Sequence, residues 1–129
     1  MPPEKAEFLK GTLDMLILKV VAAGPIHGYA ISQRIQQISR DFFQVPQGSL
    51  YPALHRLEDS GLLVSTWDQA QGRRRRVYGL TDQGAAALAA QQTEWRNFAG
   101  GVHAVLGWAA QAVWPPAAGP AQAEPGWPA

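Results

Sequence analysis

The sequence has no cysteine. That excludes disulfides, thiolate nucleophiles and cysteine-based zinc sites at once, and it suits a reducing compartment. No apolar run approaches the ~20 residues that a bilayer span needs. The opening, Met1-Pro2-Pro3-Glu4-Lys5, lacks the charged n-region and apolar core of a signal peptide. A cytoplasmic protein without a membrane partner is expected. Neither charge is in excess: 11 Lys+Arg against 10 Asp+Glu give a formal net charge of +1 at pH 7, which argues against indiscriminate polyanion binding. The three histidines, His27, His55 and His103, fall on separate expected elements without HxxH or HxxxH spacing, so they do not suggest a metal site. A glycine-rich phosphate loop, a nucleophile elbow and a clustered carboxylate pair are also missing. No enzyme, cofactor or metal is expected.

What is present is a chain of 129 residues, 47% of them hydrophobic, enough for one modest domain with a small core. It is organised around Gln47 to Tyr78. Leu50, Ala53, Leu54 and Leu57 recur at i, i+3, i+4 and i+7, which predicts a helix with one apolar stripe. The residues left over, Ser49, Tyr51, Pro52, His55, Arg56 and Asp59, form a donor-rich face of the kind that meets phosphates and base edges. Downstream, Leu62–Trp67 and Arg74–Leu80 read as strands rich in Val, Thr, Trp, Tyr and Leu, joined by a loop with a glycine, Gly72. Four consecutive arginines, Arg73 to Arg76, stand at this tip, and Leu62–Leu80 carries them against one acid, Asp68. A basic tip on a near-neutral body fits a protein that docks on DNA at a defined place.

The elements before and after complete an order. Thr12 is the expected N-cap of a first helix, with Asp14 near its positive end and Leu13, Leu16, Ile17 and Val20 facing inward. Gly24-Pro25 stops it. A second helix is expected from Gly28 to about Ile38, burying Ile31, Ile35 and Ile38, and the phenylalanines of Asp41–Val45 are expected to plug the core. The third helix starts at Ser49 as N-cap, or else near Gln47 with one backbone bond lost at Pro52, and ends at Gly61. Thr81 caps a long last helix with a stripe of Leu88, Gln91, Trp95, Phe98, Val102 and Val105. This stripe is too long for so small a wing domain to absorb, and the simplest partner for it is a second copy of the chain. The helix ends at Gly107 or runs on to Trp114, where Pro115-Pro116 must stop it. The fold class is therefore mainly α with a β-hairpin wing. A winged helix-turn-helix spans residues 1–80, a C-terminal dimerisation helix spans 81–107, and residues 115–129 form a mobile Pro/Ala-rich tail.

Several of these stretches carry a family resemblance. They are Leu9 to Leu18, Gly24-Pro25-Ile26-His27-Gly28-Tyr29-Ala30-Ile31, Gly48 to Leu57, Gly72 to Arg75, and Tyr78-Gly79-Leu80-Thr81-Asp82-Gln83-Gly84. Together they resemble the PadR family of transcriptional regulators, over about Phe8 to Leu106. The resemblance implies a winged-helix homodimer that binds operator DNA, usually as a repressor and often released by a small molecule. The single C-terminal helix is similar to that of the smaller subfamily, and the tail after Gly107 departs from it.

The candidate DNA contacts are Gln47, Ser49, Tyr51, Pro52 and His55, since helix-turn-helix proteins lay the start of the second motif helix in the major groove. Tyr51 suits a phosphate better than a base, because its hydroxyl has no bidentate code. Arg73, Arg74 and Arg75 join them from the wing, and Lys10 from the first helix. Arg73 and Arg75 should share one side of the strand and Arg74 and Arg76 the other, with at least one of the four pairing with Asp68 or Glu58. His27 reads as a turn residue. Gln91, Trp95, Phe98 and Val102 are candidates both for the dimer seam and for a pocket in which paired Trp95 rings stack on a flat aromatic effector. A rival reading is a winged-helix module that binds protein through Tyr51 and the arginines.

Overall fold

The computed structural model describes residues 3–69 and 72–108, with side chains from Thr12 onward. Helix α1 (Pro3–Ala22) begins well before the expected cap at Thr12. Proline is tolerated at a first helical position, and Glu4, Lys5, Ala6 and Glu7 are good helix formers. Gly11 alone costs about 1 kcal/mol and does not stop the helix. Thr12 is therefore an interior residue and not a cap, and Asp14 is far from the helix start. Instead Asp14 Oδ1 accepts a hydrogen bond of 2.6 Å from Arg56 Nη2 on the third helix. Gly24 follows α1 at φ 148°, where a side chain is strained, and the chain turns into a two-residue strand, β1 (Ile26–His27).

Helix α2 (Gly28–Ile38) occupies the expected span. It buries Ile31 and Ile35 and half-buries Ile38. Phe43 packs against the core, whereas Phe42 stays exposed, so only one of the two phenylalanines is a plug. Helix α3 (Gln47–Asp59) starts at the earlier of the two expected positions. Ser49 is not its cap: extended Pro46 precedes the helix, and its carbonyl accepts from the amides of Ser49 and Leu50. Pro52 thus lies inside the helix and leaves one carbonyl without its usual donor. Leu50, Ala53, Leu54 and Leu57 all face the core. Gly61 ends α3 in the left-handed region at φ 81°, with Gly61 N donating to Glu58 O and Leu62 N to Leu57 O, the paired bonds of a Schellman close.

Strands β2 (Leu63–Asp68) and β3 (Arg75–Leu80) form the wing hairpin. With β1 they make a three-stranded antiparallel sheet in the order β1-β3-β2. Thr81 then caps α4 (Asp82–Leu106), accepting at Oγ1 from Gly84 N at 2.9 Å. The same oxygen donates back to the Gly61 carbonyl at 2.7 Å and approaches that of Leu62 at 3.1 Å. A Cβ at Gly84 would collide with the Leu62 carbonyl oxygen, so only glycine fits this junction. Helices, hairpin and last helix follow the expected winged-helix order.

The chain divides into two compact units, Met1–Ala89 and Ala90–Ala129, with the boundary inside α4. The first holds the core, to which α1 gives Leu13, Ile17, Leu18, Val20 and Val21, and α4 gives Leu88. In the second, Trp95 and Phe98 pack ring on ring with centroids 5.8 Å apart. Helix α4 closes at Leu106, with Gly107 at φ 79° and Trp108 N donating to His103 O. The expected tail of residues 115–129 lies outside the described residues, as does Trp114. No helix among the described residues is long and apolar enough to cross a membrane.

Candidate nucleic-acid interface

The polar side of α3 is the first part of the site. Because the stripe Leu50, Ala53, Leu54 and Leu57 is anchored in the core, helical geometry turns Gln47, Ser49, Tyr51, Pro52, His55 and Arg56 outward, and all six are exposed. Tyr51 leans on α2. A Cβ at Gly28 would stand 3.1 Å from Tyr51 Cε1 and 3.5 Å from its hydroxyl. The tyrosine ring therefore lies against the first turn of α2, in space that the absence of a side chain at Gly28 leaves open. Arg56 is drawn to Asp14 of α1 instead of standing free, a pairing between residues far apart in sequence.

The wing is the second part, and its two faces differ. Paired residues on antiparallel strands share a face. Leu63↔Leu80, Ser65↔Tyr78 and Trp67↔Arg76 form one face; Val64↔Gly79, Thr66↔Val77 and Asp68↔Arg75 form the other. The first face continues the core outward, since Leu63 and Tyr78 are buried at its inner end. At its outer end Arg74 and Arg76 both lie over the Trp67 ring, with Cζ 4.3 Å and 4.9 Å from the centroid. Arg76 Nε also donates to Ser65 Oγ at 2.9 Å, and Ser65 Oγ donates to Glu58 Oε2 of α3 at 2.6 Å. Burial pushes the Tyr78 phenol above its ordinary value; the neighbouring Arg76 cation opposes this, and Glu58 and Tyr51 add to it.

On the opposite face His27 of β1 reaches past β3 to Asp68, with Nε2 and Oδ2 3.4 Å apart. His27 is therefore a strand residue at the edge of the wing sheet, not merely a turn residue. Arg73 and Arg75 are exposed. Among the described residues none of the four arginines pairs directly with Asp68 or Glu58, and only Arg76 is linked to either, through Ser65. Arg74 and Arg76 do share a side, as strand alternation predicts. Nothing in the sequence marks out Trp67 and Ser65, since neither breaks the strand pattern; only the register brings them to the arginines.

Lys10 lies within α1, and its side chain is outside the described residues. In the second unit Trp95 is 45% and Phe98 63% exposed, Val102 is exposed, and Gln91 is half-buried. Gly100 and Gly101 leave open space beside the helix. Among the described residues no group of three or more His, Cys, Asp or Glu side chains is placed to hold a metal ion.

With this geometry in view, the comparisons agree with one another. Residues 17–90 match the model of the transcriptional regulator PadR-like family. The chain is 44% identical over 82 residues to the transcriptional regulator Rv3488 of Mycobacterium tuberculosis, a match covering 64% of this chain and 74% of that one. The PadR family transcriptional regulator of Eggerthella lenta superposes with a TM-score of 0.69 at 32% identity, over 80% of this chain and 88% of that chain. The PadR of Bacillus subtilis, solved in complex with operator DNA, superposes with a TM-score of 0.57 at 26% identity, over 62% of this chain and 46% of that chain. A family model that takes in the second helix, the third, the wing and the start of α4 leaves one conclusion: this chain belongs to the PadR-like family of transcriptional regulators.

Proposed function

We propose that the protein is a homodimeric, sequence-specific DNA-binding repressor of the cytoplasm, released from its operator by a small aromatic effector. The observation that carries the reading is the exposed donor face of α3 beside an arginine-tipped wing. Gln47, Ser49, Pro52 and His55 enter the major groove, and Tyr51, steadied on Gly28, takes a phosphate at its edge. Arg73, Arg74 and Arg75 meet the backbone or the minor groove from the wing, where each neutralised phosphate steepens the salt dependence by about 0.9 in log–log slope. Lys10 adds a backbone contact from α1. Residues 1–80 form the DNA-binding part and 81–107 the dimerisation helix. The operator-bound Bacillus subtilis relative supports the choice of partner.

The exposed Trp95, Phe98 and Val102 surface supports the pairing of two copies along α4. Apolar side chains of that size, clustered on one helix, gain by mutual burial. The same pairing brings two Trp95 rings and the half-buried Gln91 residues to one place, a stacking platform with polar handles. The deciding experiment is a titration of duplex DNA at increasing salt. A regulator gives a steep log–log slope and prefers its operator by several orders of magnitude over random duplex; a flat slope would point to a protein partner. For the effector, a variant keeping only Trp95 should lose fluorescence with planar aromatic compounds.

A further inference from the structure

Trp67 is a large aromatic side chain left 55% exposed, near the outer end of a wing strand. A tryptophan serving only the core would be covered. Instead its ring collects two cations, Arg74 and Arg76, both inside the roughly 6 Å range in which a guanidinium is attracted to an indole face. Held on one ring, the two charges are closer together than the roughly 10 Å screening length of 0.1 M salt, so they repel each other. The acid linked to them is Glu58, and among the described residues it reaches Arg76 through the Ser65 hydroxyl. Asp68 is on the other face with His27. The Trp67 face therefore keeps a surplus of positive charge that a bound anion would relieve.

The anchoring also fixes which atoms are spent. Arg76 uses Nε for Ser65, and its two terminal η nitrogens make no hydrogen bond among the described residues. Those nitrogens are the ones suited to a phosphate oxygen pair. The chain Glu58–Ser65–Arg76 ties this cation to α3, so wing and recognition helix share one fixed charge position. An arginine already held in place loses less rotamer freedom on binding than one waving in solvent.

We propose that Trp67 is a positioning residue for DNA binding: its ring, with Ser65 and Glu58, sets Arg74 and Arg76 as a ready-made pair that grips one backbone phosphate of a duplex. The proposal rests on the DNA-binding reading given above. It assigns a role to a residue that carries no charge, and this makes it separable from that reading.

The test uses the full-length protein and a labelled mixed-sequence duplex, since a backbone phosphate grip is independent of base sequence. Trp67→Leu should weaken binding about five- to tenfold, in keeping with two lost cation–ring contacts. It should also lower the log–log salt slope by about 0.9, one phosphate's worth, although no charge has been removed. Trp67→Phe, which keeps a ring, should restore most of both. On an Arg74→Ala/Arg76→Ala background, Trp67→Leu should cost nothing further. If Trp67→Leu does not fold, Ser65→Ala, which cuts the tether to α3 alone, should show the same loss of slope in smaller measure. An unchanged slope in Trp67→Leu or its stand-in, or an additive loss on the double-alanine background, overturns the proposal while the wild-type titration still upholds DNA binding. A wild-type protein that ignores the duplex overturns both.

Discussion

Helices α3 and α4 are written in the same way and end in opposite situations. Each carries an apolar stripe at helical spacing, and each closes with a glycine in the left-handed region, Gly61 and Gly107. In α3 the whole stripe is buried, none of Leu50, Ala53, Leu54 and Leu57 keeping more than 3% of its surface. In α4 the stripe is buried at Leu88 and then exposed at Trp95, Phe98 and Val102. Periodicity says only that a face wants covering; what covers it depends on the elements at hand. For α3 the cover is α1, α2 and the sheet. For the outer part of α4 a second chain is the cover proposed above.

Mutations should break this comparison in a defined order. Leu54→Ala opens a cavity in a fully closed core and should cost about 2–5 kcal/mol in urea unfolding. Trp95→Ala leaves the core of the first unit intact, so it should weaken self-association by about 2 kcal/mol, roughly thirtyfold, in sedimentation equilibrium. An equal loss of folding stability in the two variants would mean that both stripes are internal. A third change tests the start of α4. Thr81→Ala removes the oxygen that accepts from Gly84 N, and thermal unfolding should report a loss of about 1 kcal/mol.

The fourth and smallest change sharpens the comparison at the helix ends. Helix α2 ends with the same pair of bonds as α3, Arg40 N to Gln37 O and Asp41 N to Gln36 O. Yet the residue at the glycine position is Arg40, at φ 54°. Arg40→Gly should relieve that strain and raise stability by about 0.5 kcal/mol in chemical denaturation. No gain would indicate that the arginine side chain compensates on its own.

Much of the fold is legible in the sequence alone, because the legible parts are local. The limits of α2, the glycine close of α3, the Thr81 cap and both wing strands to within a residue follow from single side chains and short periods. The misses are parts whose cause lies elsewhere in the chain. Strand β1 is two residues long, too short for any pattern, and exists because Tyr78 and Val77 stand opposite it. The starts of α1 and α3 carry no side-chain cap signal, one entering through Pro3 and the other following extended Pro46. At the interface, the outward residues of α3 could be named from the stripe they leave over. The Trp67–Arg74–Arg76 group could not, since strand register decides who faces whom. The same holds for Arg56 with Asp14 and His27 with Asp68, pairs some forty residues apart in sequence.

One oxygen atom has a consequence beyond capping. Thr81 Oγ1 fastens the carbonyls of Gly61 and Leu62, just past the end of α3, and the Gly84 amide in the first turn of α4 at a single point, and Gly84 leaves no slack around it. The end of the helix whose outer side carries Ser49, Tyr51 and His55 and the start of α4 are therefore anchored on one shared atom.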